Sequence, residues 1–93
     1  MKTITLDFSD CNCWQDIQMI IKNAFDFPDY YGENLDALWD CACDYITFRY
    51  EKLEIIFKGI NKLSSELQEY LLEIIAVFND IKKRVPNITL QFS

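Results

Sequence analysis

Hydrophobic and polar residues alternate with two different periods in the first part of the chain. Residues 2–8 alternate every second position, which predicts a β-strand, and residues 14–25 carry apolar side chains at the spacing of an amphipathic helix. The residue before Pro28 is driven out of the helical conformation, so this helix is expected to end near Phe27. The side chains expected on its buried face are Trp14, Ile17, Ile20 or Ile21, and Phe25.

A second helix is predicted from about residue 35 to residue 45. Asn34 precedes it and suits the N-cap position, because its side-chain oxygen can accept a hydrogen bond from a free N–H of the first helical turn. The side of this helix that is predicted to face the core carries Leu35, Leu38, Ala42 and Tyr45.

The second half of the chain repeats the change from strand to helix. Residues 53–57 predict a short buried strand, residues 60–63 a single helical turn, and Ser64 or Ser65 the cap of a long helix that Pro86 ends. The inner face of this helix is predicted to consist of Leu67, Leu71, Ile74, Ile75, Phe78 and Ile81. A final strand is predicted at residues 88–92.

Strands that alternate with helices predict an α/β fold, here a small three-stranded, mostly parallel sheet packed with about three to four helices. The 93 residues, 51% of them hydrophobic, are expected to form one domain spanning residues 1–93. No apolar run approaches the ~20 residues of a membrane span, and the N-terminal residues lack the apolar stretch of a signal peptide. We therefore expect a cytoplasmic protein that does not bind membranes.

The negative charge is confined to one segment. The chain has 15 acidic and 9 basic residues and a net charge of -6. No basic residue lies between Lys22 and Arg49, but six acids do, and the acids outside this segment equal the bases in number. The six are Asp26, Asp29, Glu33, Asp36, Asp40 and Asp44. Such a field repels nucleic acid and attracts basic proteins.

Asp36, Asp40 and Asp44 recur every four residues and should line one side of the second helix. The helix dipole explains an acid at position 36, near the N-terminus, but not the two acids that follow toward the negative C-terminal end. Helix stability alone would favour a lysine at one of those positions. Two interpretations remain open from the spacing: a solvated face without a role, or a surface that binds a cationic partner.

Aromatic residues favour the second interpretation. Trp39 falls between the acidic and the apolar side of the helix, and Tyr30 and Tyr31 precede it in a polar turn. Exposed tyrosine and tryptophan next to acidic groups are typical of protein-binding hot spots, although each ring could instead pack partly into the core.

Other chemistries find little support in the sequence. The chain has no histidine and no phosphate-binding glycine loop, and a domain of this size has little room for a substrate cleft, so an enzyme is not expected. No calcium-loop pattern follows the acids, and no cofactor or metal is expected. Cys11, Cys13, Cys41 and Cys43 are spaced more closely in pairs than is usual for a zinc site and are interpreted as reduced thiols, with a disulfide or a metal site as the alternative.

Residues 30–41 read Tyr-Tyr-Gly-Glu-Asn-Leu-Asp-Ala-Leu-Trp-Asp-Cys, and this segment resembles the characteristic motif of the barstar family, intracellular inhibitors of the secreted ribonuclease barnase. The resemblance extends more weakly over the whole chain. It implies that Asp40 is the main anchor in the nuclease's phosphate site, that Asp36 pairs with a basic group at its rim, and that Tyr30 stacks on the catalytic histidine. It also implies a contact by Asp80 of the long helix.

Together these observations predict a partner-binding surface. Its expected residues are Tyr30, Tyr31, Gly32, Asn34, Leu35, Asp36, Ala37, Trp39, Asp40, Cys43, Asp44, Tyr45 and Asp80. The chain departs from the family pattern at Cys43, Tyr45 and Asp80, where the family's inhibitor has threonine, tryptophan and glutamate. The partner implied is a basic secreted ribonuclease or related nuclease toxin, bound one-to-one. The alternative is a non-inhibitory interaction or regulatory module that binds another basic protein.

Overall fold

The computed structural model describes residues 2–28, 34–49 and 52–93, with the backbone alone at residues 47–49. The elements in chain order are β1 (Lys2–Asp7), α1 (Trp14–Phe25), α2 (Leu35–Arg49), β2 (Leu53–Lys58), a 3-10 turn (Ile60–Lys62), α3 (Ser65–Arg84) and β3 (Ile88–Phe92). The predicted α/β class is confirmed, since the three strands form one sheet in the order β1-β2-β3 and both pairings are parallel.

Strand β2 lies at the centre of the sheet because it has the most apolar sequence of the three. Leu53, Ile55 and Phe57 on one of its faces are buried, whereas the intervening residues are half-buried. Leu53 pairs with Lys2 of β1 and with Ile88 of β3. Parallel neighbours require long crossovers, and the helices that form these crossovers cover the buried face.

The first helix differs from its prediction at one end. Ile17, Ile21 and Phe25 are fully buried as expected, but the prediction that Trp14 faces the core is wrong, because its side chain is 42% exposed. Trp14 is the first residue of α1, and its ring lies 6.1 Å from that of Tyr70 in α3. Gln18, one helical turn after Trp14, is buried instead. Its Nε2 donates a hydrogen bond of 2.6 Å to the hydroxyl of Tyr70.

The second helix begins where the sequence predicted and extends farther. The backbone N–H of Ala37 donates a hydrogen bond of 2.8 Å to Oδ1 of Asn34, which confirms the N-cap. Leu38 and Ala42 are fully buried, as predicted. Ile46 continues this stripe one turn later, so α2 reaches Arg49 and does not end near residue 45.

The long helix matches its prediction closely. Of the two candidate caps, Ser64 is the one whose Oγ accepts a hydrogen bond from the N–H of Leu67, at 3.3 Å. Every side chain predicted for the inner face is buried. Within the described ranges, no helix combines the length and the apolar content needed to cross a membrane.

Candidate functional site

The three aspartates of α2 lie on its solvent side. Asp36, Asp40 and Asp44 are exposed and follow one another at intervals of one helical turn. The helix is held to the core on its other side by Leu38 and Ala42. The three carboxylates, called the acidic face below, therefore point away from the protein and are available to a partner.

Nothing in the described part of the chain neutralises the acidic face. No lysine or arginine side chain described there lies within 4.0 Å of its carboxylates. Each carboxylate repels its neighbour one turn away by a few tenths of a kcal/mol, and Asp44 also lies toward the negative end of the helix dipole. The helix dipole favours Asp36 in the first turn, but helix stability does not explain Asp40 and Asp44.

Trp39 borders the acidic face, and its ring contacts an arginine side chain that the sequence did not predict there. Its indole is half-buried, and the guanidinium carbon of Arg84 lies 5.2 Å from the ring centroid. This distance is that of a cation–π contact. The end of α3 is thereby fixed beside α2, and a positive charge stands at the border of a negative surface.

Asp80 lies one helical turn before Arg84 and so shares its side of α3. Its Oδ1 is 3.9 Å from Nζ of Lys83, and both side chains are largely exposed. An exposed pair at this distance contributes little to stability. Asp80 can therefore exchange Lys83 for a cation of a partner at low cost.

Four other residues expected at the partner contact are half-buried: Leu35, Ala37, Cys43 and Tyr45. Tyr45 meets Phe25 edge-on, with ring centroids 5.2 Å apart. It supports the surface from the core side and exposes only part of its ring. Tyr30, Tyr31 and Gly32, which the sequence also assigned to the contact, lie outside the described residues.

The cysteines are free thiols in distinct environments. Cys11 is buried, Cys13 is exposed, and Cys41 and Cys43 are half-buried. Burial, and after it the nearby carboxylate of Asp16, raises the pKa of Cys11 to about 11. Burial, and after it Asp40, also raises the pKa of Cys41. Among the described residues, no cluster of cysteine and carboxylate side chains could hold a metal ion.

A groove adjoins the acidic face at the start of α2. It has a volume of about 410 Å³ and is lined by Trp14, Asn34, Leu35, Glu66, Leu67 and Tyr70. The rings of Trp14 and Tyr70 lie 6.1 Å apart at 58°. Asn34 and Leu35 connect this aromatic groove to Asp36. The groove could not be predicted from the sequence, because its walls come from three helices and Trp14 was expected in the core.

Comparison with known proteins agrees with the resemblance of residues 30–41. The family model of barstar, described as the barnase inhibitor, matches residues 1–93. The chain is also similar to a Bacillus subtilis (strain 168) protein named "Putative ribonuclease inhibitor YrdF", with 29% identity over 85 residues that cover 91% of this chain and 90% of that protein. The match spans all the elements described above, so this chain belongs to the barstar family.

Proposed function

We propose that this protein inhibits a basic, barnase-like ribonuclease inside the cell that produces it. It binds the nuclease one-to-one and blocks the active site with the acidic face of α2. The carboxylate of Asp40 occupies the place of an RNA phosphate, and Asp36 pairs with a cation at the rim. Because a carboxylate on a helix has no scissile bond, the nuclease cannot turn it over.

The observation that carries this proposal is the exposed acidic face itself. Three carboxylates repeat at intervals of about 6 Å along one side of a helix. A nuclease active site is built to bind a row of anions, so it matches such a row in charge. The family membership and the name of the Bacillus relative support the same assignment.

The surroundings of Asp40 suit a binding hot spot. Half-buried Trp39 lies beside it and supplies apolar surface that excludes water around a buried charge pair. Its neighbour Ala37 is small and lets a partner approach the helix closely. Asp80 is presented from α3 with only a weak tie to Lys83.

The decisive test is a titration of ribonuclease activity with the purified protein. Barnase and any small basic nuclease encoded beside this gene are suitable enzymes. We expect a linear loss of activity with an endpoint at one inhibitor per enzyme. Full activity of every such nuclease at a large excess of the protein would refute the proposal.

A matched pair of variants tests the geometry. Asp40→Asn and Asp44→Asn remove the same charge from exposed positions on one helix. A hot-spot carboxylate is worth about 2 kcal/mol or more, so Asp40→Asn should weaken inhibition by about 30-fold or more. Asp44→Asn should change it by about threefold or less, through the long-range field alone. Equal losses would show that Asp40 is not the anchor.

Salt dependence gives an independent measurement. Net charge of -6 concentrated around α2 should steer a basic partner toward the acidic face. Stopped-flow association should slow steeply as ionic strength rises, while dissociation changes little. A rate constant for association that is insensitive to salt would contradict electrostatic recognition.

A further inference from the structure

The aromatic groove combines an aromatic and apolar lining with a charged side chain. Trp14 and Tyr70 form aromatic walls, and Leu35 and Leu67 form an apolar floor. Glu66 is the charged residue among those described around the groove, and its side chain is exposed. Trp14 is among the largest exposed apolar residues of the described chain, at 42%. The groove thus offers aromatic faces and one carboxylate to the solvent.

These groups complement an arginine side chain. The guanidinium group stacks on indole and phenol rings, its aliphatic stem covers apolar surface, and a carboxylate at the rim pairs with its charge. The chain itself shows that an indole accepts this cation, since Arg84 lies 5.2 Å from the ring centroid of Trp39. A neutral apolar side chain would pack on the rings but gain nothing from the Glu66 carboxylate.

We infer that the aromatic groove is a second docking site for the partner protein and receives one of its arginine side chains. This inference rests on the proposed function, because it takes the partner to be a basic protein already held by the acidic face. Asn34 and Leu35 line the groove and directly precede Asp36, so one partner surface can cover both sites.

The tyrosine wall is held in place from inside the protein. The hydroxyl of Tyr70 accepts the hydrogen bond from buried Gln18, and this bond fixes the ring against Trp14. A preformed wall loses little conformational freedom when a ligand binds. The groove is therefore ready for a side chain before the partner arrives.

Glu66→Gln and Glu69→Gln form the matched pair for the first experiment. Both remove one charge from exposed positions in the first turns of α3, but Glu69 does not line the groove. Against the inhibited nuclease, Glu66→Gln should raise the dissociation rate by about 3- to 10-fold, as loss of a partly exposed charged contact does. Glu69→Gln should raise it by less than about twofold. Equal effects would overturn the groove contact and leave inhibition by the acidic face intact.

A second pair isolates the aromatic wall. Trp14→Ala removes an exposed ring of the groove, whereas Met19→Ala removes a side chain of similar exposure, 46%, from the same helix outside it. Only Trp14→Ala should accelerate dissociation. Thermal unfolding of both variants shows whether either loses its fold. Faster dissociation with Met19→Ala as well would contradict a local contact.

The groove can also be tested without any nuclease. The peptide Gly-Arg-Gly is titrated to about 10 mM, because a ligand this small is expected to bind with a Kd in the millimolar range. The NMR signal of the Trp14 indole N–H should shift with added peptide, and Glu66→Gln should reduce the shift at each peptide concentration while Glu69→Gln preserves it. Gly-Gln-Gly should produce no shift. An unmoved Trp14 signal would overturn the inference, whatever the outcome of the inhibition assay.

Discussion

The contact between Arg84 and Trp39 makes a prediction in which stability and binding change in opposite directions. Arg84→Gln keeps a polar side chain of similar length at the end of α3 but removes its charge. The variant loses the cation 5.2 Å from the indole centroid. It also removes the positive charge that borders the acidic face. The first change weakens the free protein, and the second strengthens attraction to a basic partner.

The loss of stability follows from the geometry of the contact. A cation over a half-buried indole contributes about 0.5–1 kcal/mol, which for a chain of this length lowers the Tm by roughly 3–6 °C. Lys82→Gln removes the same charge two residues earlier, on the other side of the helix, and should change the Tm by much less. Emission from Trp39 should shift to the red in Arg84→Gln, measured in a Trp14→Phe background to isolate one indole.

The gain in association follows from Coulomb's law. Arg84 repels a partner cation about 10 Å away by about 0.4 kcal/mol in unscreened water. Removing this repulsion for several partner cations should raise the association rate about two- to fivefold at low salt. Stopped-flow mixing of each variant with the free nuclease measures this association rate. Equal Tm losses and equal rates for Arg84→Gln and Lys82→Gln would refute the reasoning, since net charge alone would then explain both.

Three further outcomes are expected from the fold. Gly59 has a φ of 77°, and an added Cβ would lie 2.7 Å from the backbone nitrogen of Ser9, so Gly59→Ala should lower the free energy of unfolding in urea by about 2–3 kcal/mol; wild-type stability would contradict the close approach. Exposed Cys13 should react with iodoacetamide well before buried Cys11, as peptide mass mapping would show. The pKa of Cys11 is raised from 9.0 to about 11, so its protonated form stabilises the fold below pH 9.0, and this stability is lost as pH rises toward 11. In urea unfolding, Cys11→Ala should therefore lose less free energy of unfolding between pH 9.0 and 11 than the wild type does.

Local patterns predicted the elements that cover the sheet. The inner face of α3 and the Asn34 cap of α2 could be predicted from residue spacing, because each depends on neighbours within one or two helical turns. The parallel sheet followed from the alternation of strands and helices. The acidic face could be predicted for the same reason as the α3 core, since its periodicity lies within a single helix.

Contacts between helices could not be predicted this way. Trp14 has the spacing of a core residue, yet it lies at the start of α1, where its ring meets Tyr70 of α3 and stays partly exposed. Gln18 reads as a surface residue and is buried because Tyr70, distant in sequence, supplies its hydrogen bond. The position of Arg84 over Trp39 likewise depends on how α2 and α3 pack. Each of these features belongs to the surroundings of the candidate site.

The core of α2 fixes the direction of its acidic face. The buried stripe Leu38, Ala42 and Ile46 and the acidic stripe both repeat every four residues. Since an α-helix turns about 100° per residue, both stripes drift by about 40° per step in the same sense. The acids precede the buried residues by two positions, about 200° around the axis, and this offset stays constant along the helix. Burying Leu38 in the core therefore directs Asp36 outward, and the same argument directs Asp40 and Asp44. A core substitution that rotated α2 would turn all three carboxylates together, so the arrangement of the candidate binding surface depends on apolar residues buried inside the protein.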